Sequence, residues 1–210
     1  MVKNLTIAAA ALLCLVIVSG CSKKNGSPNS VKINGTEYAT VVIGSQTWTS
    51  VNYNGPGGLN YNNSTTNDPV YGKLYSYTEA EAISLPSGWR LPTEADFNKL
   101  IYTLDPVAAS QEFSTLADST GRKLMSATTW TVDEIGTNKT GFNAVGAGFQ
   151  ENGAFSDLGQ FDNILTSSKF GNGNDMSLAI YDYYGGALVN LNSVIPYDTD
   201  RGSVRFVKDN

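Results

Sequence analysis

Leu91-Pro92-Thr93-Glu94-Ala95-Asp96-Phe97-Asn98-Lys99-Leu100-Ile101-Tyr102-Thr103-Leu104-Asp105-Pro106 is the stretch that decides the fold class. Thr93 stands where a helix N-cap belongs, and Asp96, three residues on, holds the capping-box position with a side chain shorter than Glu. Phe97, Leu100, Ile101 and Leu104 recur at helical spacing and share one face, and Asp105-Pro106 stops the run. Upstream, Tyr77-Thr78-Glu79-Ala80-Glu81-Ala82-Ile83 reads as a shorter helix that ends before Pro86. Outside these two helices the text is strand-like. Val31-Lys32-Ile33 and Thr36-Glu37-Tyr38 flank Asn34-Gly35, the pair that suits a type I′ hairpin turn. Thr40-Val41-Val42-Ile43, Gly44-Ser45 and the run Gln46 to Val51 prolong this into a meander. After Gly121 short β-like runs alternate with Gly and Asn turns, and the last run is Ser203-Val204-Arg205-Phe206-Val207-Lys208. In it Val204, Phe206 and Lys208 alternate with Ser203, Arg205 and Val207. Strands at both ends with two helices between them predict a single α+β domain.

Composition narrows the chemistry. Apolar residues make up 41% of the 210, which is enough for a packed core. There is no histidine, and the only cysteines are Cys14 and Cys21, so zinc sites, His-based triads and Cys–His nucleophiles are excluded. The net charge is −5, and removing residues 1–20 deletes Lys3 and no acid, giving −6. An acidic chain with scattered cations is poorly suited to neutralising phosphates, which argues against nucleic acid as a partner.

The N-terminus carries an address. Lys3 precedes an apolar run from Leu5 to Val18, and Val18-Ser19-Gly20 places small residues before Cys21. Some fourteen apolar residues fall short of the roughly 20 that span a bilayer. The pattern resembles the bacterial lipoprotein signal, which implies cleavage before Cys21 and a lipid on Cys21 as membrane anchor. Residues 1–20 are then a signal peptide and 21–30 a tether, polar and turn-rich from Ser22 to Ser30. Ser22 after the cysteine implies the outer membrane, with the periplasmic and the cell-surface face both open.

From Val31 to Asp209 the residues carry a second resemblance. Val41-Val42-Ile43-Gly44-Ser45-Gln46-Thr47-Trp48, Tyr71-Gly72-Lys73-Leu74-Tyr75 and Pro86-Ser87-Gly88-Trp89-Arg90-Leu91-Pro92-Thr93 are three blocks in order. Gly141-Phe142-Asn143-Ala144 with Gly146-Ala147-Gly148-Phe149, and Ser203-Val204-Arg205-Phe206-Val207-Lys208-Asp209, follow. Together they resemble the Fibrobacter succinogenes major paralogous domain, here spanning 31–210. The resemblance implies a C-type-lectin-like fold: two helices and a curled, mostly antiparallel sheet in which the N- and C-terminal strands pair. It also marks two departures. Positions that are cysteines in the family are Leu85 and Phe206 here, so the bridge that the family's pattern suggests is absent and an apolar Leu–Phe contact could take its space.

Trp48 and Trp89 read as packing residues and Gly88, Gly146 and Gly148 as turn or close-approach positions. In C-type-lectin-like folds ligand loops lie around the last strands, which directs attention to residues 167–201. There Tyr181, Tyr183 and Tyr184 surround Asp182, followed by Asn190, Asn192 and Tyr197; with Trp130 they form the candidate ligand-binding set. Asn172, Asn174, Asp175, Asp198 and Asp200 are the oxygen donors a calcium site would use. The chain lacks the Glu-Pro-Asn, Gln-Pro-Asp and Trp-Asn-Asp signatures of sugar-binding C-type lectins, so no cofactor is expected. No nucleophile elbow, Walker loop or Gly-x-Gly-x-x-Gly occurs, and Asp133-Glu134 and Asp162 show no acid–base pairing by spacing. The sequence therefore supports a non-catalytic surface lipoprotein that binds a glycan or protein through its C-terminal loops. The competing reading is a structural or protein-interaction module of the envelope with no small ligand.

Overall fold

Asn34 and Gly35 take φ values of 48° and 88°. The turn they make joins β1 (Ser30–Ile33) to β2 (Thr36–Ile43), with Val31 opposite Tyr38. This computed structural model describes residues 29–107, 118–131, 135–183, 186–195 and 199–210; for 183, 186–188 and 190–195 it describes the backbone alone. β2 turns at Gly44-Ser45 into β3 (Gln46–Thr49), and β9 (Val207–Asp209) pairs with β3, Trp48 opposite Val207. The second sheet is built from β4 (Ala147–Glu151), β5 (Ala154–Leu158), β6 (Phe161–Lys169), β7 (Asp175–Tyr183) and β8 (Gly186–Ile195).

The strand orders are β1-β2-β3-β9 and β5-β4-β6-β7-β8. Every neighbouring pair is antiparallel except β4–β6, which is parallel and consists of one register pair, Gly148 opposite Asp162. The expected single curled sheet is thus two sheets. The first and last strands share one of them without pairing, because β2 and β3 lie between.

Helices are few among the described residues: α1 (Asp68–Tyr71), α2 (Tyr77–Glu81), α3 (Glu94–Leu104) and α4 (Asp118–Leu124). Thr93 and Asp96 form the anticipated capping box on α3, and Ser76 with Glu79 forms another on α2. α4 was not legible, since Gly121 sits inside it, buried, where the sequence suggests a return to strand.

α3 buries Phe97, Leu100 and Ile101 completely against Trp48, Ile164, Leu178 and Val207. Trp48 lies 5.1 Å from Phe97 and edge-on to Phe142, each such ring pair contributing about 1 kcal/mol beyond area burial. On the other side a second cluster gathers Val31, Ile33, Tyr38, Tyr53, Tyr75, Val204 and Phe206. Leu85 packs against this cluster too, so both departures from the family's cysteine pattern meet one apolar mass. Trp89 is half-buried beside it. The closing run does not alternate in and out. Val204 and Phe206 feed the second cluster, Val207 feeds the first, and Arg205 is fully buried as well.

Candidate functional site

The expected ligand residues do not assemble as one group. Trp130 is 7% exposed, belongs to the main core and donates its indole N–H to the Ala144 carbonyl at 3.1 Å. That corrects its assignment as a binding platform: a hydrogen-bonded Trp in a core leaves no face for a ligand. Tyr181 is half-buried near the end of β7. Tyr183 closes β7 opposite Gly186, and Asn190 and Asn192 lie on β8, where only the backbone is described. Tyr184, Tyr197 and Cys21 lie outside the described residues.

Tyr181 instead belongs to an arrangement that the sequence does not reveal. Its ring stacks on Phe161 of β6 at 5.0 Å and 15°, and Phe161 meets Phe149 of β4 edge-on at 5.4 Å. The three rings are half-buried and form a row across three neighbouring strands. Cross-strand contact brings together residues far apart in sequence, and such pairs are the unit that stabilises a sheet face. The row lies beside the end of β7, where the β7–β8 connection begins.

Immediately inside the row lies a buried charge pair. Asp162 and Arg205 are both inaccessible to solvent. Arg205 spends its donors on neutral acceptors: Nε on Asn52 Oδ1 at 2.7 Å, Nη2 on the Asn143 carbonyl at 2.8 Å, and Nη1 on the Phe142 carbonyl. Its guanidinium also stacks over the Phe142 ring at 4.5 Å. Neither Asp162 oxygen has a partner in hydrogen-bonding geometry. Burial raises its carboxyl to about 6, and the positive charge of Arg205 opposes that rise without cancelling it. The Ser203 hydroxyl, the Val145 N–H and the Asn52 amide oppose it as well from close by. Burial also lowers Arg205, to about 10, which leaves it cationic at neutral pH.

The candidate calcium donors are separated in role. Asn172 Oδ1 accepts the Asn174 N–H in a local turn, Asp175 pairs with Lys169 at 2.7 Å, and buried Asp200 accepts the Asn152 N–H at 3.0 Å. Asp198 lies outside the described residues. Among the described residues no three acidic side chains gather round a common point. Two hollows among the described residues lie elsewhere. One of about 530 Å³ is lined by Asn34, Pro56, Gly57, Glu79 and Ile83, and one of about 490 Å³ lies beside Lys99 and Tyr102 of α3. Neither includes a residue of the expected set. No helix among the described residues is long and apolar enough to cross a membrane.

The signature Pro86 to Thr93 is structural. Arg90 exchanges backbone hydrogen bonds with Val207, and its guanidinium bridges Asp96 at 2.5 Å and Asp209 at 2.9 Å. Gln46 adds a donor to Asp96 at 2.7 Å. The motif thus fastens the start of α3 to the closing strand. No curated protein and no solved structure matches the chain. The model of the Fibrobacter succinogenes major domain matches residues 33–208, the span over which these blocks are fastened to one another, and the chain belongs to that family.

Proposed function

We propose that this protein is an outer-membrane lipoprotein, anchored through a lipid on Cys21, whose domain binds an extracellular glycan or protein without catalysing a reaction. Its two mostly antiparallel sheets and the placing of its first and last described strands in one of them support a C-type-lectin-like organisation. The observation that carries the binding role is the row Phe149–Phe161–Tyr181, three half-buried aromatics on adjacent strands beside the β7–β8 connection. Aromatic area partly open to water is costly to leave idle and is a common anchor in recognition.

A protein-interaction module without a small ligand is the second reading, favoured by the ring geometry. Phe161 and Tyr181 cover each other's faces, and Phe149 abuts Phe161 by an edge. Little ring face is left to lie flat on a sugar, whereas ring edges and apolar area suit protein side chains.

The test is a glycan and surface-polymer array probed with residues 22–210, with calcium and with chelator. Binding that Tyr181→Ala or Phe161→Ala abolishes supports the row, and binding indifferent to both variants moves the ligand elsewhere. Loss in chelator alone restores a calcium role. Silence from a folded sample favours the protein-partner reading. Incorporation of labelled fatty acid that Cys21→Ala eliminates tests the anchor separately.

A further inference from the structure

β4 and β6 are joined by the pair Gly148–Asp162 and by no other. Beyond that point the strands part, and residues 201–203 fill the fork, Arg201 pairing with Gln150 of β4 and Ser203 with Ile164 of β6. The one residue of β6 at this joint is also a buried carboxyl group. Asp162 lies opposite Gly148 on one side and Ile180 on the other. These three are the chain neighbours of Phe149, Phe161 and Tyr181, so the ionisable group sits directly behind the aromatic row.

We propose that Asp162 is a proton-sensitive hinge, whose ionisation sets how tightly β4 closes on β6 and therefore how Phe149 meets Phe161 and Tyr181. Arg205, from the closing segment, is the charged group that faces it; Ser203, Asn52 and the Val145 N–H supply neutral donors, and Gly148 and Ile180 bring no charge. A buried carboxylate needs donors far more than a neutral carboxyl does. Neither oxygen of Asp162 has one at hydrogen-bonding geometry, although these donors are close by. Loss of the proton to solvent draws Ser203 and Val145 toward the oxygens. Ser203 belongs to the wedge in the fork and Val145 leads directly into β4, so both movements close the joint. Uptake of a proton releases them. The burial that raises Asp162 to about 6 puts this change in a range that an exported protein meets.

The inference rests on the proposed binding role only for its use, because the hinge is measured without a ligand. The sample is residues 22–210, which contain every residue of both apolar clusters. NMR follows the Asp162 carboxyl carbon and the ring signals of Phe149 and Phe161 from pH 4.5 to 7.5. The expected result is a carboxyl midpoint near pH 6 with ring shifts on the same curve, and rings fixed at one position throughout in Asp162→Asn. Rings that stay still in the wild type, or that titrate unchanged in Asp162→Asn, overturn the hinge. Should Asp162→Asn not fold, Ser203→Ala carries the test: loss of one donor moves the shared midpoint upward, and an unmoved midpoint overturns the proposal. Failure here leaves array binding untouched, and a silent array leaves the ring titration untouched.

Discussion

Asp96 and Asp162 are both buried carboxylates, 1% and 0% exposed, yet they are treated in opposite ways. Asp96 takes donors from Gln46, Arg90 and both the N–H and hydroxyl of Thr93, at 2.5 to 2.9 Å. Asp162 takes none in full hydrogen-bonding geometry, with Ser203, Val145 and Asn52 close by and the charge of Arg205 opposing its burial. The first carboxylate locks a helix start to the closing strand. The second occupies the narrowest joint of the other sheet. The same side chain serves as a weld where its donors converge and as a soft point where they stand back, and the softer region is the one that carries the aromatic row.

Four changes sharpen or break that contrast. The largest effect is expected from Arg205→Ala, which strips Asp162 of the charge that faces it and leaves the Asn52, Phe142 and Asn143 acceptors unmet. Urea unfolding at pH 7.5 is expected to show a loss of about 4 kcal/mol, and a loss below about 1 kcal/mol makes the pair incidental. Asp96→Ala removes a cap and two side-chain donors' partner at once, for an expected loss of about 3 kcal/mol in the same assay. Arg90 is partly exposed, so its share of that loss is reduced by solvent.

The third change tests Asp162 by pH. Asp162 is raised from 3.8 to about 6 on folding, so the folded state holds its proton more tightly than the unfolded one. The stability this provides is fully present below about pH 4 and is lost as pH rises through about 6, amounting to about 3 kcal/mol. The stability difference between wild type and Asp162→Asn is therefore expected to change by about that amount from pH 4 to pH 7, to the wild type's disadvantage at the higher pH. A difference constant across that range defeats the assignment. The smallest effect is Tyr181→Ala, about 1 kcal/mol from the lost stack on Phe161. Calorimetry checks it, and a loss several times larger shows that the row is core rather than surface.

The welded region was largely readable in advance. Asn34-Gly35, Thr93 with Asp96 and the Phe97–Leu104 face each announce themselves within a few residues, because turns, caps and helix faces are local. The soft region was not. Phe149, Phe161 and Tyr181 come from three separate runs, and only strand register makes them neighbours. Arg205 sits in a run that reads as an alternating strand and so places its charge outward by default, and nothing near it in sequence signals Asp162 as its counter-ion. Trp130 misleads for a related reason: flanked by threonines it reads as exposed, until the distant Ala144 carbonyl and the core account for it.

The closing segment gives Val207 to one apolar cluster and Val204 and Phe206 to the other, and it supplies the wedge between β4 and β6. A chain without residues 201–210 thus has neither cluster finished, whatever local hairpins it has made. Completing either cluster must wait for this segment and then draws on contacts far apart in sequence, which are slow to form. Until that segment is in place both clusters and the β4–β6 fork stand open together, so the domain closes as one unit rather than piece by piece.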